Sequence, residues 1–499
     1  MESDRRTAVP RPLLQRRLTR RTTLGRLAVG GGAAAALVTG LGPRLTAAHP
    51  AAPMATPAPP PAPPPGPDLV EPEEVVSKDG LLDVTLTARL GPAKVAGRDV
   101  ITYAYNSSFP GPTMRIHPGD RLRVKLVNQL PDMPTNLHVH GFHVSPSGNS
   151  DNVFLHIMPG ETFQFEFDTP PDHAPGLYWY HPHPHGYSEL QVYGGMAGGI
   201  VNVGPFDDLP GIAGLKERVL LIQISAFRAD GHLLPLEEVT AAPTPYYVNG
   251  QVNPTIRIRP GETQRWRIGN ISADFFVNLH LDGHVMHETM ADANPQDRPV
   301  PQNAIVLGPA ERTEVLVQAG APGTYQFKTL PFGPGLQATP EVLLATMVVE
   351  GEPVTSTPLP TELVPFLDLR TVPVDRTREL EFQMVPQPDG TFKDQISGEQ
   401  FDPDVVNQVV RLGATEEWTI SNATEFWHPF HIHVNEFQVV ALNGQPYEAH
   451  GYDDTFPVPP HGSFTMRIRF TDFTGRFVYH CHILNHEDGG MMGVVDVVS

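Results

Sequence analysis

The stretch His480-Cys481-His482-Ile483-Leu484-Asn485-His486-Glu487-Asp488-Gly489-Gly490-Met491-Met492 contains the chain's only cysteine. A thiolate, two imidazoles and a weak axial thioether form the donor set that selects an electron-transfer copper. Cys481, His486 and Met491 offer three of those four donors. Successive side chains on a strand point to opposite faces, so His480 and His482 face away from whatever Cys481 binds and are placed for a second site. Three further clusters carry related chemistry: His138-Val139-His140-Gly141, His181-Pro182-His183 and His428-Pro429-Phe430-His431-Ile432-His433. Ten of the 22 histidines fall in the four clusters. A His-x-His pair on a strand sets both imidazoles on one face, and imidazole suits copper, zinc and nickel. One such pair says little; four at matching places in a repeat say much more.

The elements that must position these residues read as short strands. Arg121-Leu122-Arg123-Val124-Lys125-Leu126, Thr162-Phe163-Gln164-Phe165-Glu166-Phe167 and Thr465-Met466-Arg467-Ile468-Arg469-Phe470 alternate with period two. Pro and Gly punctuate the chain so often that long helices have little room. An internal repeat sets the domain count. Pro118-Gly119-Asp120 leads through a strand to Asn128, Pro260-Gly261-Glu262 to Asn270, and Leu412-Gly413-Ala414 to Asn422; histidine follows soon after, at His138, His280 and His431. A second landmark recurs in step at Gly176-Leu177-Tyr178-Trp179-Tyr180, Gly323-Thr324-Tyr325-Gln326-Phe327 and Gly475-Arg476-Phe477-Val478-Tyr479. Three copies of one β-sandwich is the economical explanation. After that landmark the first copy continues His181-Pro182-His183 and the third His480-Cys481-His482, whereas the middle copy continues Lys328-Thr329-Leu330. The middle copy is therefore expected to lack ligands.

At 499 residues the chain is long enough for several domains. Its formal charge is −20, from 35 basic and 55 acidic residues. The first 44 residues hold nine arginines against Glu2 and Asp4, so the remainder is more acidic still. That balance argues against nucleic acid and anionic membranes as partners. A single cysteine excludes an intramolecular disulfide. Thr19-Arg20-Arg21-Thr22-Thr23-Leu24 resembles a twin-arginine motif, a weakly apolar run follows, and Thr46-Ala47-Ala48 offers a small-residue cleavage site. The expectation is an exported protein, periplasmic, cell-surface or secreted, with no stable membrane insertion. The expected layout is a signal over residues 1–48, a Pro/Ala-rich linker over 49–68, and domains over 69–205, 206–355 and 356–499.

Taken together, the four motifs resemble those of a three-domain, laccase-like multicopper oxidase of the exported bacterial type, over residues 69–499. The resemblance implies an all-β fold of three cupredoxin-like Greek-key sandwiches, with a trinuclear copper cluster between the first and third and four copper ions in all. Residue by residue, it makes His428, Cys481 and His486 the type 1 copper ligands with Met491 axial, and His138 and His431 the type 2 ligands. His140, His181 and His482 match the ligands of one type 3 copper, and His183, His433 and His480 those of the other. Substrate is implied to give single electrons at the type 1 site and O2 to be reduced to water at the cluster. Asp151 and Glu487 fit the family's proton-handling acids by position, and Asp488 reads as structural. His280, His284 and His287 read as a degenerate core remnant, and His143 and His185 as supporting or rim residues. Spacing favours Met491 over Met492.

The resemblance implies phenols or aromatic amines as substrates; the alternative is oxidation of cuprous or ferrous ion. The methionines form no rich cluster, which favours the first reading modestly. A non-catalytic copper-binding or scaffold protein is the reading from another class, and the completeness of the motifs speaks against it. A two-domain copper nitrite reductase lacks the His-Cys-His triplet and the third sandwich.

Overall fold

The computed structural model describes residues 63–239 and 244–499. The signal-like segment and most of the linker lie outside the described residues.

Period-two sequence becomes strand throughout. In Arg121–Gln129 the alternate residues Leu122, Val124, Leu126 and Asn128 are buried while their neighbours reach solvent, the pattern of a sheet with one packed face. Among the described residues six sheets result, two for each copy of the repeat. In the first copy the strand order Glu74–Val76, Thr113–Ile116, Gly198–Asn202, Gly176–His181, His138–His140 packs on a sheet built around Leu81–Val95 and Arg121–Gln129. The third copy repeats this with Gln408–Arg411, Met492–Val498, Gly475–Cys481, His428–Ile432 and Thr455–Val458. The middle copy does so with Thr255–Ile258, Val342–Val349, Gly323–Thr329, Val277–Leu281 and Ile305–Leu307. Each pair of sheets encloses its own apolar core, the third centred on Trp418, Phe430, Phe464 and Cys481. The fold is all-β, three cupredoxin-like sandwiches.

The repeat has a physical basis at its asparagines. Each is buried at or one residue before a strand's end and uses its amide to bridge two backbone carbonyls: Asn128 to Met133 and Ile157, Asn270 to Phe275 and Leu307, Asn422 to Phe426 and Val458. A side chain with two donors pointing apart is what such a junction requires. Strand register then aligns the chemistry: His138 faces His181, His431 faces His480, and in the middle copy His280 faces Lys328.

Two departures from the sequence reading matter for the site. The strand Gly475–Cys481 ends at the cysteine, and His486 and Glu487 sit on a short helix, Leu484–Asp488. Sandwich contacts also begin inside the expected linker, where Pro67 and Leu69 hydrogen-bond with Thr255.

The first and second sandwiches share a buried ion network. Arg267, fully buried, reaches Glu217 at 2.6 Å, Asp207 at 2.7 Å and Glu314, while Arg115 of the first sandwich reaches Glu217 at 2.7 Å. Burial raises the Glu217 carboxyl, but Arg267 and Arg115 outweigh it and bring it from 4.5 down to about 2. A depressed folded-state pKa stabilises above the unfolded value and is lost as pH falls toward the folded one. Metal-free wild-type chain is therefore expected to exceed Glu217→Gln in unfolding free energy by up to about 3 kcal/mol at neutral pH. Denaturant titrations should show that gap closing between pH 4.5 and about 2. A gap that is constant with pH would rule the network out as its source.

Candidate metal centres

Cys481 ends its strand inside the third core and is fully buried. Its Sγ lies 3.4 Å from His428 Nδ1 and 3.6 Å from His486 Nδ1, and those two nitrogens are 3.2 Å apart. The orientation of His428 is set by the repeat's own asparagine. The Thr424 hydroxyl donates to Asn422 Oδ1 at 2.8 Å, so its oxygen accepts the His428 Nε2–H at 2.7 Å and leaves Nδ1 bare. Met491 belongs to the same core cluster as Cys481, and its carbonyl accepts the Cys481 N–H at 3.1 Å. Met492 packs elsewhere, with Val153 and Val478. Burial pushes the Cys481 thiol far up, whereas a bound cation would deprotonate it outright.

The other eight clustered histidines meet between the first and third sandwiches, all buried. The Nε2 atoms of His183 and His433 lie 3.1 and 3.3 Å from His480 Nε2. His482 stands with its ring centroid 4.9 Å from His140 and 5.4 Å from His181. His138 and His431 are 6.0 Å apart, and His138 stacks on His433 at 3.9 Å. Outward acceptors fix the tautomers. His138 donates from Nδ1 to Asp151 at 2.9 Å, His181 from Nδ1 to the Pro182 carbonyl at 2.9 Å, His431 from Nδ1 to the Asp454 carbonyl at 2.8 Å, and His480 from Nδ1 to the Cys481 carbonyl at 3.0 Å. His140 is the exception, its Nε2 facing Asp454 Oδ1 at 3.0 Å.

The nitrogens left over test whether a metal belongs here. His138 Nε2, His140 Nδ1, His181 Nε2, His431 Nε2, His433 Nδ1 and both nitrogens of His482 are buried without a hydrogen-bond partner. A buried polar atom left unpaired costs about 1–3 kcal/mol, so these are a cost that bound cations would reduce at one nitrogen of each ring, the second nitrogen of His482 keeping its proton. Burial and the neighbouring imidazoles also hold His138, His140, His181, His183, His433, His480 and His482 well below their ordinary pKa. Neutral imidazole is the form that ligates. The residues fit copper: soft sulfur with imidazole at one centre, imidazole alone at the other.

Multicopper oxidase family profiles match residues 89–204, 227–350 and 372–499, most of the described chain. The chain belongs to the multicopper oxidase family. It is 28% identical over 449 residues to a multicopper oxidase of Staphylococcus haemolyticus, covering 87% of this chain and 93% of that one. A laccase of Bacillus stratosphericus is 28% identical over 477 residues, covering 80% and 91%. Among solved structures, a multicopper oxidase of Campylobacter jejuni described as a metallo-oxidase superposes with TM-score 0.76 at 25% identity, covering 87% of this chain and 96% of that one. The protein is a copper-dependent oxidase.

Around this multicopper oxidase site the two expected acids are buried against histidines. Asp151 touches His138 with both oxygens and accepts the Val139 N–H at 3.1 Å; burial raises it to about 8. It is no ordinary turn aspartate. Glu487 lies 3.6 Å from His183 Nδ1 and accepts from Ser188 at 3.3 Å, and burial raises it well above the carboxylate range. Asp488 caps the helix Ser188–Gly194 of the first sandwich, accepting from the backbone of Gly186, Ser188 and Glu189, a structural role as read from sequence. His143 donates to the Val434 carbonyl at 2.7 Å, and His185 packs edge-on against Phe401. His280 is partly exposed and donates to the Asn303 carbonyl, while His284 donates to the Asp282 carbonyl; the remnant lies nearer the surface than the expected core position.

Thr424, Asp454 and Thr455 were not singled out from sequence. Thr424 had a usable signal, lying two residues past the repeat asparagine and four before His428. Asp454 contacts His140 across 314 positions, where no local spacing reports it. Since the axial position tunes a copper–thiolate centre, Met491→Leu is expected to shift the position of its visible absorption and its reduction potential. Met492→Leu is expected to leave both unchanged; spectra and redox titration of the two variants decide between the methionines.

Proposed function

We propose that the chain couples one-electron oxidation of phenols or aromatic amines, at the centre held by His428, Cys481, His486 and Met491, to reduction of O2 at the centre held by the other eight histidines. The copper count so implied is four, one held with Cys481 and three among His138, His140, His181, His183, His431, His433, His480 and His482. Copper, when bound, supplies a one-electron acceptor at the first centre and the site of O2 reduction to water at the second.

The observation that carries the reading is the position of Cys481. Its side chain meets His428 and His486 on one side, and its backbone runs directly into His480 and His482, which belong to the other cluster. Two bonded neighbours thus join a thiolate centre to an imidazole centre. Of the ten clustered histidines His486 alone is partly exposed, which makes its ring edge the place where a substrate meets the chain. Asp151 and Glu487 set buried carboxyl oxygens beside His138 and His183, where they would pass protons to the cluster. Export under a twin-arginine-type signal over residues 1–48, and domains over 69–205, 206–355 and 356–499 with no ligands in the middle one, complete the proposal. In its support Lys328 occupies the register position of a ligand histidine and pairs with Asp282 at 3.1 Å.

Oxidation of cuprous or ferrous ion is the second reading. Two carboxylates near His486 favour it: Asp274 accepts the Asn485 N–H at 3.2 Å and Glu189 its side-chain amide at 3.3 Å, and the Campylobacter jejuni structure is described as a metallo-oxidase. Against it, Trp427 beside His428 stands in an aromatic group, its centroid 5.4 Å from that of Phe332, which lies 5.2 Å from Phe276. Steady-state rates with a phenol, Cu(I) and Fe(II) on one copper-loaded preparation separate the two. A phenol rate orders of magnitude below both metal-ion rates overturns the first reading. Cys481→Ser is expected to lose the intense red-region absorption and oxidase activity together, and activity that survives would contradict the path through Cys481.

A further inference from the structure

We propose that Asp454, locked by Arg312, is the positioning residue that decides which ring nitrogens His140 and His431 present to the shared histidine cluster. The inference rests on the reading of that cluster as a copper site.

Asp454 directly precedes the strand Thr455–Val458, which pairs with His428–Ile432 so that Thr455 faces His431. From there it acts on two rings in two different ways. Its side-chain Oδ1 lies 3.0 Å from Nε2 of His140, in the first sandwich. A carboxylate only accepts, so Nε2 carries the proton and Nδ1 is bare. Its backbone carbonyl accepts from His431 Nδ1 at 2.8 Å, so there Nε2 is bare. One residue thereby sets opposite tautomers on two rings that stack 3.9 Å apart at 20°. The two nitrogens so freed, His140 Nδ1 and His431 Nε2, are among those buried without a partner. Thr455 Oγ1, 3.3 Å from His140 Nε2 and 3.2 Å from His431 Nδ1, sits between the same two outward atoms.

The hold on Asp454 comes from the sandwich that has no ligands of its own. Arg312 meets it with a planar fork, Nη1 to Oδ1 at 2.9 Å and Nη2 to Oδ2 at 2.6 Å, and donates from Nε to the Leu177 carbonyl of the first sandwich at 3.1 Å. A bidentate guanidinium fixes a carboxylate in plane as well as in place. Asp292 closes the arrangement, taking Arg312 Nη1 on Oδ1 at 3.2 Å and the backbone N–H groups of Asp454 and Thr455 on Oδ2 at 3.3 and 2.9 Å. Gly141, the residue after His140, makes the approach possible. It has φ +82°, and a Cβ there would strike Asp454 Oδ2 and Arg312 Nη2. With both carboxylate oxygens committed to Arg312 and one to His140, Asp454 orients ligands and is not itself one.

The test uses the copper-loaded full chain, comparing wild type with Asp454→Asn and Thr455→Val. Three quantities are read: red-region absorption of the Cys481 centre, the EPR spectrum of the remaining copper, and copper retained against a chelator. Loss of such an outer partner typically weakens metal binding roughly 10- to 100-fold. Asp454→Asn is therefore expected to keep the red absorption, alter the EPR signal of cluster copper and lose that copper at 10- to 100-fold lower chelator concentration. Thr455→Val should move the same two readouts less far, and it decides the matter if Asp454→Asn does not fold. Wild-type EPR and chelator resistance in both variants overturn the proposal, and so does parallel loss of red absorption and cluster copper, which marks a general structural role. A wild-type chain that takes up copper at Cys481 but none among the eight histidines overturns the copper-cluster reading instead.

Discussion

Everything around the functional region follows from one requirement: buried imidazoles must stay neutral and turn bare nitrogens toward one another. Left alone, such rings would flip to satisfy themselves, since an unpaired buried nitrogen costs free energy and a flipped ring does not. For five of the rings the chain prevents this by supplying an acceptor on the outer side. Asp151 serves His138, the Pro182 carbonyl serves His181, the Asp454 carbonyl serves His431, and the Cys481 carbonyl serves His480. The Thr424 hydroxyl does the same for His428 at the thiolate centre. Two of these acceptors belong to residues next to a ligand in sequence, so the ligand motif carries part of its own support.

Strands suit the task because they fix side-chain direction over short distances. Cross-strand register puts His138 opposite His181 and His431 opposite His480 without any loop having to find a conformation. The middle sandwich keeps the same register and has changed its occupants. His280 and Lys328 face one another there, and Lys328 is neutralised by Asp282 and Glu341. An ammonium has no lone pair to offer a metal, and the middle sandwich contributes from a distance: Arg312 through Asp454, and the Ala273 carbonyl, which accepts the Leu484 N–H at the start of the helix bearing His486.

Much of this was legible in the sequence because the relevant signals are local. His-x-His spacing, the lone cysteine between two histidines and the thrice-repeated asparagine each report on a few consecutive residues whose geometry is fixed by a strand or a turn. The alternating runs gave the strands for the same reason, and matching landmarks gave the sandwich count. The supports were harder to see. Arg312 and Asp454 are 142 positions apart, Asp454 and His140 are 314 apart, and nothing in the spacing of such residues marks a contact that only tertiary packing creates. The helix Leu484–Asp488 was missed for a different reason. Five residues are too few for helical periodicity to show, and what holds the helix is contact with two neighbouring sandwiches.

The same tertiary pinning supports the proposal that Cys481 serves two centres at once. Its N–H donates to the Met491 carbonyl, its own carbonyl accepts from the His480 ring, and the next N–H, of His482, donates to the Pro429 carbonyl. Three consecutive residues are thus anchored to the strand and loop that carry His428, His431 and Met491. A displacement of the sulfur would drag His480 and His482 with it, and a displacement of either imidazole would pull on the sulfur. Because the intervening backbone has no freedom to absorb such movement, the separation of the two centres is set by covalent geometry, and a rigid covalent link of two residues is the shortest connection a strand can offer between its opposite faces.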